Sequence, residues 1–529
     1  MKVAVVGSGL AAAGAIRALL KAGHRPVVLD IGHRLPKNLI EQQKSMSSRL
    51  PGDWSHSEWA QIARNEESGR VVPRKLVFGS NHFYSPEQAD ITKMDSYFSG
   101  SPPWSPARGG FSTGWGAAVL PPAPSDVAEW PVTHAVLLRH MREVLSNIPI
   151  SEPIDEISGV FGQIRPQGAM VLPLSPGQTS LLARLNEAKS SDASLRVLVG
   201  QSRLLTQAES SAESRCRFCG HCSSGCVYGS IYTAEQDFDR WISEDRIDYR
   251  SGISVFELRE TGGLVQIHLN LDNRVETQEF DVVFLAAGAV NSARILLNSS
   301  PDGPQKITLR RTGGALQIFA TLRPLDVSWP EVNTQASHFV EINSQRQSPF
   351  WAHVQIGQPN ELVLRRLGLS NGNRSSWKGK VIRSAAEHII SAALNVHSDF
   401  GPTYEMKLQR QRNQLPTLQT CQHWTSENRA TVDSYSRYLK EFLRTAKFYQ
   451  VPLARQDSAA AHGYHFGSSF PMQRSAQSYF SSDSLGRPFG WRRVHVVDTS
   501  VLPAIPATTV GLLTMANAHR IASEFSNVH

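Results

Sequence analysis

Cysteine is scarce, with 5 in 529 residues, which excludes a scaffold built on disulfides. No uninterrupted run of 18 apolar residues occurs, so no transmembrane helix is expected. Charged residues make up only 19%, and glycine and proline are spread along the chain; disordered, collagen-like and coiled-coil classes are thereby excluded. Neither sign of charge dominates. Lys+Arg 54 against Asp+Glu 46 leaves +8, too diffuse to argue for nucleic acid but compatible with an anionic substrate or an acidic partner. Internal repeats and low-complexity tails are missing. The opening MKVAVVGSGLAAAG lacks the basic segment and longer apolar stretch of a secretion signal and reads as a strand entering a glycine turn. Cytoplasm is the expected location, with export on a signal-bearing partner left open.

What is present is ample core material: 40% hydrophobic and 8% aromatic residues. At roughly 150 residues per domain the length allows three or four compact units, or two interleaved ones. Residues 2–6 (KVAVV) predict a buried strand, residues 10–22 a helix rich in Ala and Leu, and residues 26–30 (PVVLD) a second strand. This βαβ opening implies a parallel sheet. Between its first strand and helix stands Gly7-Ser8-Gly9-Leu10-Ala11-Ala12, a G-x-G-x-x-A turn. Gly7 permits the tight turn, Gly9 lets backbone approach a pyrophosphate, and Ala12 keeps helix and strand close. The helix N-terminus offers free N–H groups to phosphates. Asp30 closes the second strand, where a carboxylate can accept bonds from ribose hydroxyls. These features point to a dinucleotide without separating FAD from NAD.

Further along, residues 36–72 are polar and read as irregular. Strands are expected at 196–199, at 253–258 and 264–270 as a meander, and at 281–287 before a helix at 289–298. The stretch 315–357 alternates as sheet does. The basic run 361–385 (Arg365, Arg366, Arg374, Lys378, Lys380, Arg383) reads as a solvated loop face. A strand at 494–498 and a helix at 507–525 end the chain.

Four of the five cysteines, Cys216, Cys219, Cys222 and Cys226, form C-x2-C-x2-C-x3-C. That is the iron–sulfur run of bacterial ferredoxins, with Val227 in place of the usual proline. Zinc normally takes pairs of cysteines set farther apart. The competing reading is a buried cysteine-rich loop without metal. Cys421 stands alone and reads as a small core residue.

Five segments taken together resemble the glucose-methanol-choline (GMC) family of FAD oxidoreductases: the N-terminal turn, Gly109-Gly110-Phe111-Ser112-Thr113-Gly114-Trp115-Gly116, Asp281–Asn298 (DVVFLAAGAVNSARILLN), Gly463-Tyr464-His465-Phe466-Gly467-Ser468-Ser469, and Val496-Val497-Asp498-Thr499-Ser500-Val501-Leu502-Pro503 with its following helix. The resemblance implies an α/β fold: a Rossmann-like FAD-binding domain (1–135, 190–305 and 465–529) and an α+β substrate domain on an antiparallel sheet (136–189 and 306–464). It places Gly109, Gly110, Ser112 and Trp115 along the flavin, Ala286, Ala287 and Gly288 against the dinucleotide, and the backbone of Val255 at the adenine. Asp498 and the last helix would lie near the ribityl chain and the ring, where a helix N-terminus stabilises an anionic reduced flavin by about 0.3–1 kcal/mol. Several members tether FAD through a histidine where this chain has Gly114, so FAD is expected to be non-covalent.

The same resemblance assigns the catalytic base to His465, with His462 a weaker neighbour; histidine suits the role because its pKa lies near neutrality. A second His or Asn of the family falls at Thr509, which can hydrogen-bond a substrate oxygen but cannot serve as a base near pH 7. Some sugar dehydrogenases of the family hold an iron–sulfur cluster in this stretch with C-x5-C-x3-C spacing, met here by Cys216, Cys222 and Cys226; Cys219 would allow [4Fe–4S] rather than [3Fe–4S]. The implied function is an FAD-dependent dehydrogenase acting on a hydroxyl of a sugar, glycoside or cyclitol, with hydride passing to flavin N5 and electrons leaving through the cluster to an acceptor protein or partner subunit. The alternatives are a flavin oxidase or reductase of a biosynthetic pathway with structural cysteines, and a non-redox member that keeps FAD as scaffold.

Overall fold

The segment Val3–Val6 (VAVV) is small or β-branched throughout, and all four residues are buried. A strand hidden on both faces needs parallel partners that are themselves covered. In the computed structural model it lies at the centre of a five-stranded parallel sheet ordered Val494–Val496, Val282–Leu285, Val3–Val6, Val27–Leu29, Asp248–Arg250. Three remote stretches of chain thus meet in one sheet. The described residues are 1–529 without 63–75, 84–91, 95–101, 189, 191, 193, 273, 301–302, 327–331, 360–375, 411–415, 458–463 and 528–529.

Helix Leu10–Lys21 buries Ala11, Ala12, Ala13, Ala15, Ile16 and Leu19, and the C-terminal helix Gly511–Ser526 packs along it. Their backbones touch: a Cβ on Gly14 would stand 2.1 Å from the carbonyl oxygen of Met515. Small residues here bring the N- and C-terminal segments together. The strands Ile253–Thr261, Leu264–Leu271 and Arg274–Phe280 form an antiparallel meander. Alternate residues Val265, Ile267 and Leu269 join the core that also takes helix Ala289–Ser299.

A second sheet is six-stranded and antiparallel, ordered Tyr449–Asp457, Gly313–Ala320, Ile389–Val396, Ala352–Gly357, His338–Ser344, Leu195–Gln201. Its Val340, Ile342, Val354, Ile356, Ile390, Ala392 and Leu394 pack against Val432, Tyr435, Leu439, Phe442 and Leu443 of the amphipathic helix Ser426–Thr445. Because side chains alternate across a strand, Glu341, His353 and Gln355 occupy the opposite face. A third sheet, Phe466–Gly467, Lys306–Arg311, Thr403–Gln409, Thr417–His423, Thr92–Met94, carries His465 just before its shortest strand.

Three expectations differ from this architecture. Residues 36–72 contain helices Lys37–Ser47 and His56–Ile62. Each fully buries a single residue, Met46 or Ile62, so hydrophobic periodicity is too faint to reveal them. The meander has a third strand, Arg274–Phe280, which is exposed along most of its length and carries no apolar alternation. Within the basic run, Lys378, Lys380 and Arg383 sit on a helix, Trp377–Ala386, rather than a loop; Arg365, Arg366 and Arg374 lie outside the described residues, as does His462. Among the described residues no helix is long and apolar enough to cross a membrane.

Candidate active site

The first turn of the parallel sheet is built by close backbone contact. Gly7 has φ +103°, and a Cβ there would lie 2.5 Å from the carbonyl oxygen of Ala286. Only glycine satisfies both conditions. A Cβ on Gly9, by contrast, would meet nothing within 4 Å and would stand in a cavity of about 350 Å³. Gly7, Gly9, Asp30, Gly110, Ser112, Trp115, Val255, Ala286, Gly288, Asp498, His465 and Thr509 all line that cavity. Ala12 and Gly109 stand behind the wall. Ala12 is fully buried in the core, and the Gly109 N–H donates to the Ser8 hydroxyl at 3.1 Å.

The carboxylates of the cradle are already partnered. Asp30 accepts from the hydroxyls of Ser8 and Tyr249, and burial raises its pKa to about 6 despite those bonds. Asp498 accepts from the Ser292 hydroxyl and from the Ser500 N–H, and burial likewise raises its pKa. Trp115 is fixed by donation from Nε1 to the Tyr232 carbonyl at 2.7 Å. Ser112 holds its own turn by donating to the Gly109 carbonyl at 2.6 Å. At Gly114 a Cβ would come 2.8 Å from the Phe83 ring, so this position has little room for a side chain.

The site contains a cation that sequence patterning does not single out. Arg294, on helix Ala289–Ser299, is 2% exposed and lines the cavity. Its Nη2 donates to the Val255 carbonyl at 3.1 Å, while Nε and Nη1 have no partner among the described residues. Burial lowers its pKa to about 10. An uncompensated guanidinium is costly to bury, and its placement beside a glycine cradle fits an anionic, hydrogen-bond-accepting ligand such as a dinucleotide. Its apolar helical context, ARILL, hides this role, since an arginine there reads as the polar side of a surface helix.

His465 belongs to the same cavity wall. It is half-buried and opens on the cavity. Burial first, then the nearby His353 and Arg311, push its pKa down to about 4, so the imidazole is neutral at pH 7 and able to accept a proton. The Thr509 hydroxyl oxygen accepts the Leu120 N–H at 2.8 Å and retains its own proton to donate. Val510 and Gly511, at the start of the C-terminal helix, line the same wall. Phe111 and Tyr464 pack with ring centroids 5.0 Å apart.

Cys216, Cys219, Cys222 and Cys226 are free thiols in one loop. Burial and their neighbouring thiols raise the pKa of Cys216 to about 12 and that of Cys219 well above the ordinary value. The loop is pinned to residues 332–335 through Val332 N–H to the Phe218 carbonyl at 2.9 Å and Cys222 N–H to the Thr334 hydroxyl at 3.3 Å. Sulfurs receive donors: Ser230 N–H to Cys226 Sγ at 3.2 Å and Asn333 Nδ2 to Cys216 Sγ at 3.6 Å. Among the described residues no three of these sulfurs lie within 4.8 Å of one another. Cys219 and Cys226 pack on the same apolar cluster as Phe111 and Tyr464, which line the cavity.

No protein-family model matches the sequence, and no curated protein does. Solved structures do. Pyridoxine 4-oxidase from Mesorbium loti aligns over 100% of this chain and 99% of its own, with 14% identity and a TM-score of 0.60. An FAD-dependent oxidoreductase from Chaetomium thermophilum aligns over 100% and 99%, with 11% identity and a TM-score of 0.58. The chain therefore has the fold found in these FAD-dependent oxidoreductases.

Proposed function

We propose that this chain, sharing the fold of flavin oxidoreductases, is itself an FAD-dependent enzyme that oxidises a hydroxyl group. The observation that carries this reading is the presence of a neutral imidazole, His465, on the wall of the same cavity as the Gly7–Gly9 cradle. Bound FAD would supply the two-electron acceptor that no side chain can provide. Gly7, Gly9 and the N-terminus of helix Leu10–Lys21 would hold its pyrophosphate, with Arg294 and the Val255 backbone alongside. His465 takes the substrate hydroxyl proton. Thr509 donates to the substrate oxygen, its own oxygen being fixed by Leu120. The N-terminus of Gly511–Ser526 favours negative charge at that wall. The crowding at Gly114 supports a non-covalent cofactor. Residues 1–135, 190–305 and 465–529 are taken as the cofactor domain, and residues 136–189 and 306–464 as the substrate domain.

The finer reading is a dehydrogenase of a sugar, glycoside or cyclitol. In it, the four cysteines hold a [4Fe–4S] or [3Fe–4S] cluster that supplies a one-electron exit to an acceptor protein. The N–H donors to the sulfurs of Cys216 and Cys226 are contacts of the kind that tune cluster thiolates. An oxidase with structural cysteines is the second reading, favoured by the name of the pyridoxine 4-oxidase structure. Anaerobic incubation with sugars, cyclitols and pyridine alcohols, then timed reoxidation in air and iron and sulfide analysis, separates them. The dehydrogenase predicts flavin bleaching, slow reoxidation and about three or four irons per chain. Fast reoxidation without iron leaves the oxidase, and no bleaching by any alcohol leaves the scaffold role.

A further inference from the structure

The polar face of the six-stranded sheet carries an arrangement that apolar side chains could have filled at lower cost. Glu341 and His353 are directly opposite each other in adjacent strands, and neither has any exposed surface. His353 Nδ1 lies 2.7 Å from Glu341 Oε1. Two residues along the same strand, and so on the same face, Gln355 places its Nε2 3.2 Å from His353 Nε2. Gln355 is half-buried and lines the cavity that contains His465 and Thr509. Glu341 Oε2 has no partner among the described residues. A buried carboxylate so incompletely satisfied is unfavourable for the fold alone.

We propose that Gln355 binds a second hydrogen-bonding group of the substrate, and that His353 and Glu341 are positioning residues that fix which way its amide points. The direction follows from the inventory of donors and acceptors. A carboxylate only accepts, so His353 donates Nδ1–H to Glu341. Gln355 Nε2 is an amide nitrogen and only donates, so His353 Nε2, 3.2 Å away, accepts one of its N–H bonds through its lone pair. The amide cannot flip without setting its carbonyl against that lone pair. Gln355 Oε1, which accepts no bond from the described residues, and the second N–H remain for the cavity. An acceptor and a donor held at one spot match a hydroxyl group. The substrate class is therefore an alcohol with a second hydroxyl close to the carbinol that faces His465, as in a vicinal diol or an ortho-hydroxybenzylic alcohol.

This inference rests on the alcohol-oxidising reading above, and its test keeps the two apart. FAD-loaded full-length protein and the Gln355→Met and Gln355→Leu variants are compared on two probe pairs: 2-hydroxybenzyl alcohol against benzyl alcohol, and cyclohexane-1,2-diol against cyclohexanol. Binding to the oxidised protein is read by calorimetry and turnover by flavin bleaching. The wild type is expected to prefer the hydroxylated member of at least one pair by about tenfold. Gln355→Met brings the ratio close to one, through KM rather than kcat. Glu341→Gln, which keeps the shape but lets the His353 ring and the amide turn, gives an intermediate ratio. Gln355→Met is close in volume to the native side chain, so it keeps the test usable if Gln355→Leu does not fold. Binding preference without bleaching would count against the oxidation reading and leave Gln355 in its role. No preference in the wild type, or a preference unchanged in Gln355→Met, overturns the assignment.

Discussion

Replacing His465 by alanine is expected to lower kcat about 10²–10⁴-fold while the protein keeps its fold and its flavin. The imidazole lies at the start of the short strand Phe466–Gly467, and its backbone carbonyl accepts the Thr312 N–H at 3.1 Å, contacts that alanine preserves. The pH dependence follows from the direction of its shift. Its pKa is depressed from 6.5 to about 4, so the neutral, proton-accepting form persists from neutrality down to roughly pH 5 and is lost only as pH falls through the depressed value. In kcat/KM profiles of the wild type the acid limb should therefore lie well below 6.5. An acid limb at 6.5 or above, or a His465→Ala variant with near-normal turnover, would show that another group takes the proton.

Arg294→Met is expected to weaken FAD binding about ten- to a hundredfold. Among the described residues the guanidinium has two buried nitrogens without protein partners, and it lines the cavity; one hydrogen bond involving a charged group contributes about 1.5–3 kcal/mol, so the loss of one such bond to FAD is that factor in Kd. The flavin-free protein should respond in the opposite sense. A buried cation with no counter-ion destabilises the empty fold, so methionine should hold or raise its thermal midpoint. Fluorescence of released FAD and thermal unfolding with and without FAD measure both. A variant equally destabilised in both states would assign Arg294 to packing alone.

The parts of the molecule legible from sequence are those where local chemistry and fold agree. Gly7 stands out because its tight turn demands glycine, Gly9 because a Cβ there would project into the cavity, and VAVV because a doubly covered strand has no polar face. Residues of the segments around 109–116, 281–298, 464–469 and 496–503 line one cavity despite their separation in the chain. Long-range register was not legible. Glu341, His353 and Gln355 become a unit only when two strands pair with 341 opposite 353, and no spacing within the sequence encodes that pairing. Arg294 was hidden for a related reason: its significance lies in the absence of an acidic partner among the described residues around it, which depends on every neighbouring segment. The helices at 37–47 and 56–62 escaped because polar residues cover most of their surfaces.

The central claim, that this cavity holds one FAD facing His465, is tested most directly by the visible spectrum of the purified full-length protein together with FAD released on denaturation. The expected result is a flavin spectrum, close to one FAD per chain, and bleaching by an alcohol in wild type but not in His465→Ala. A folded, colourless protein that takes up no FAD on incubation would contradict it.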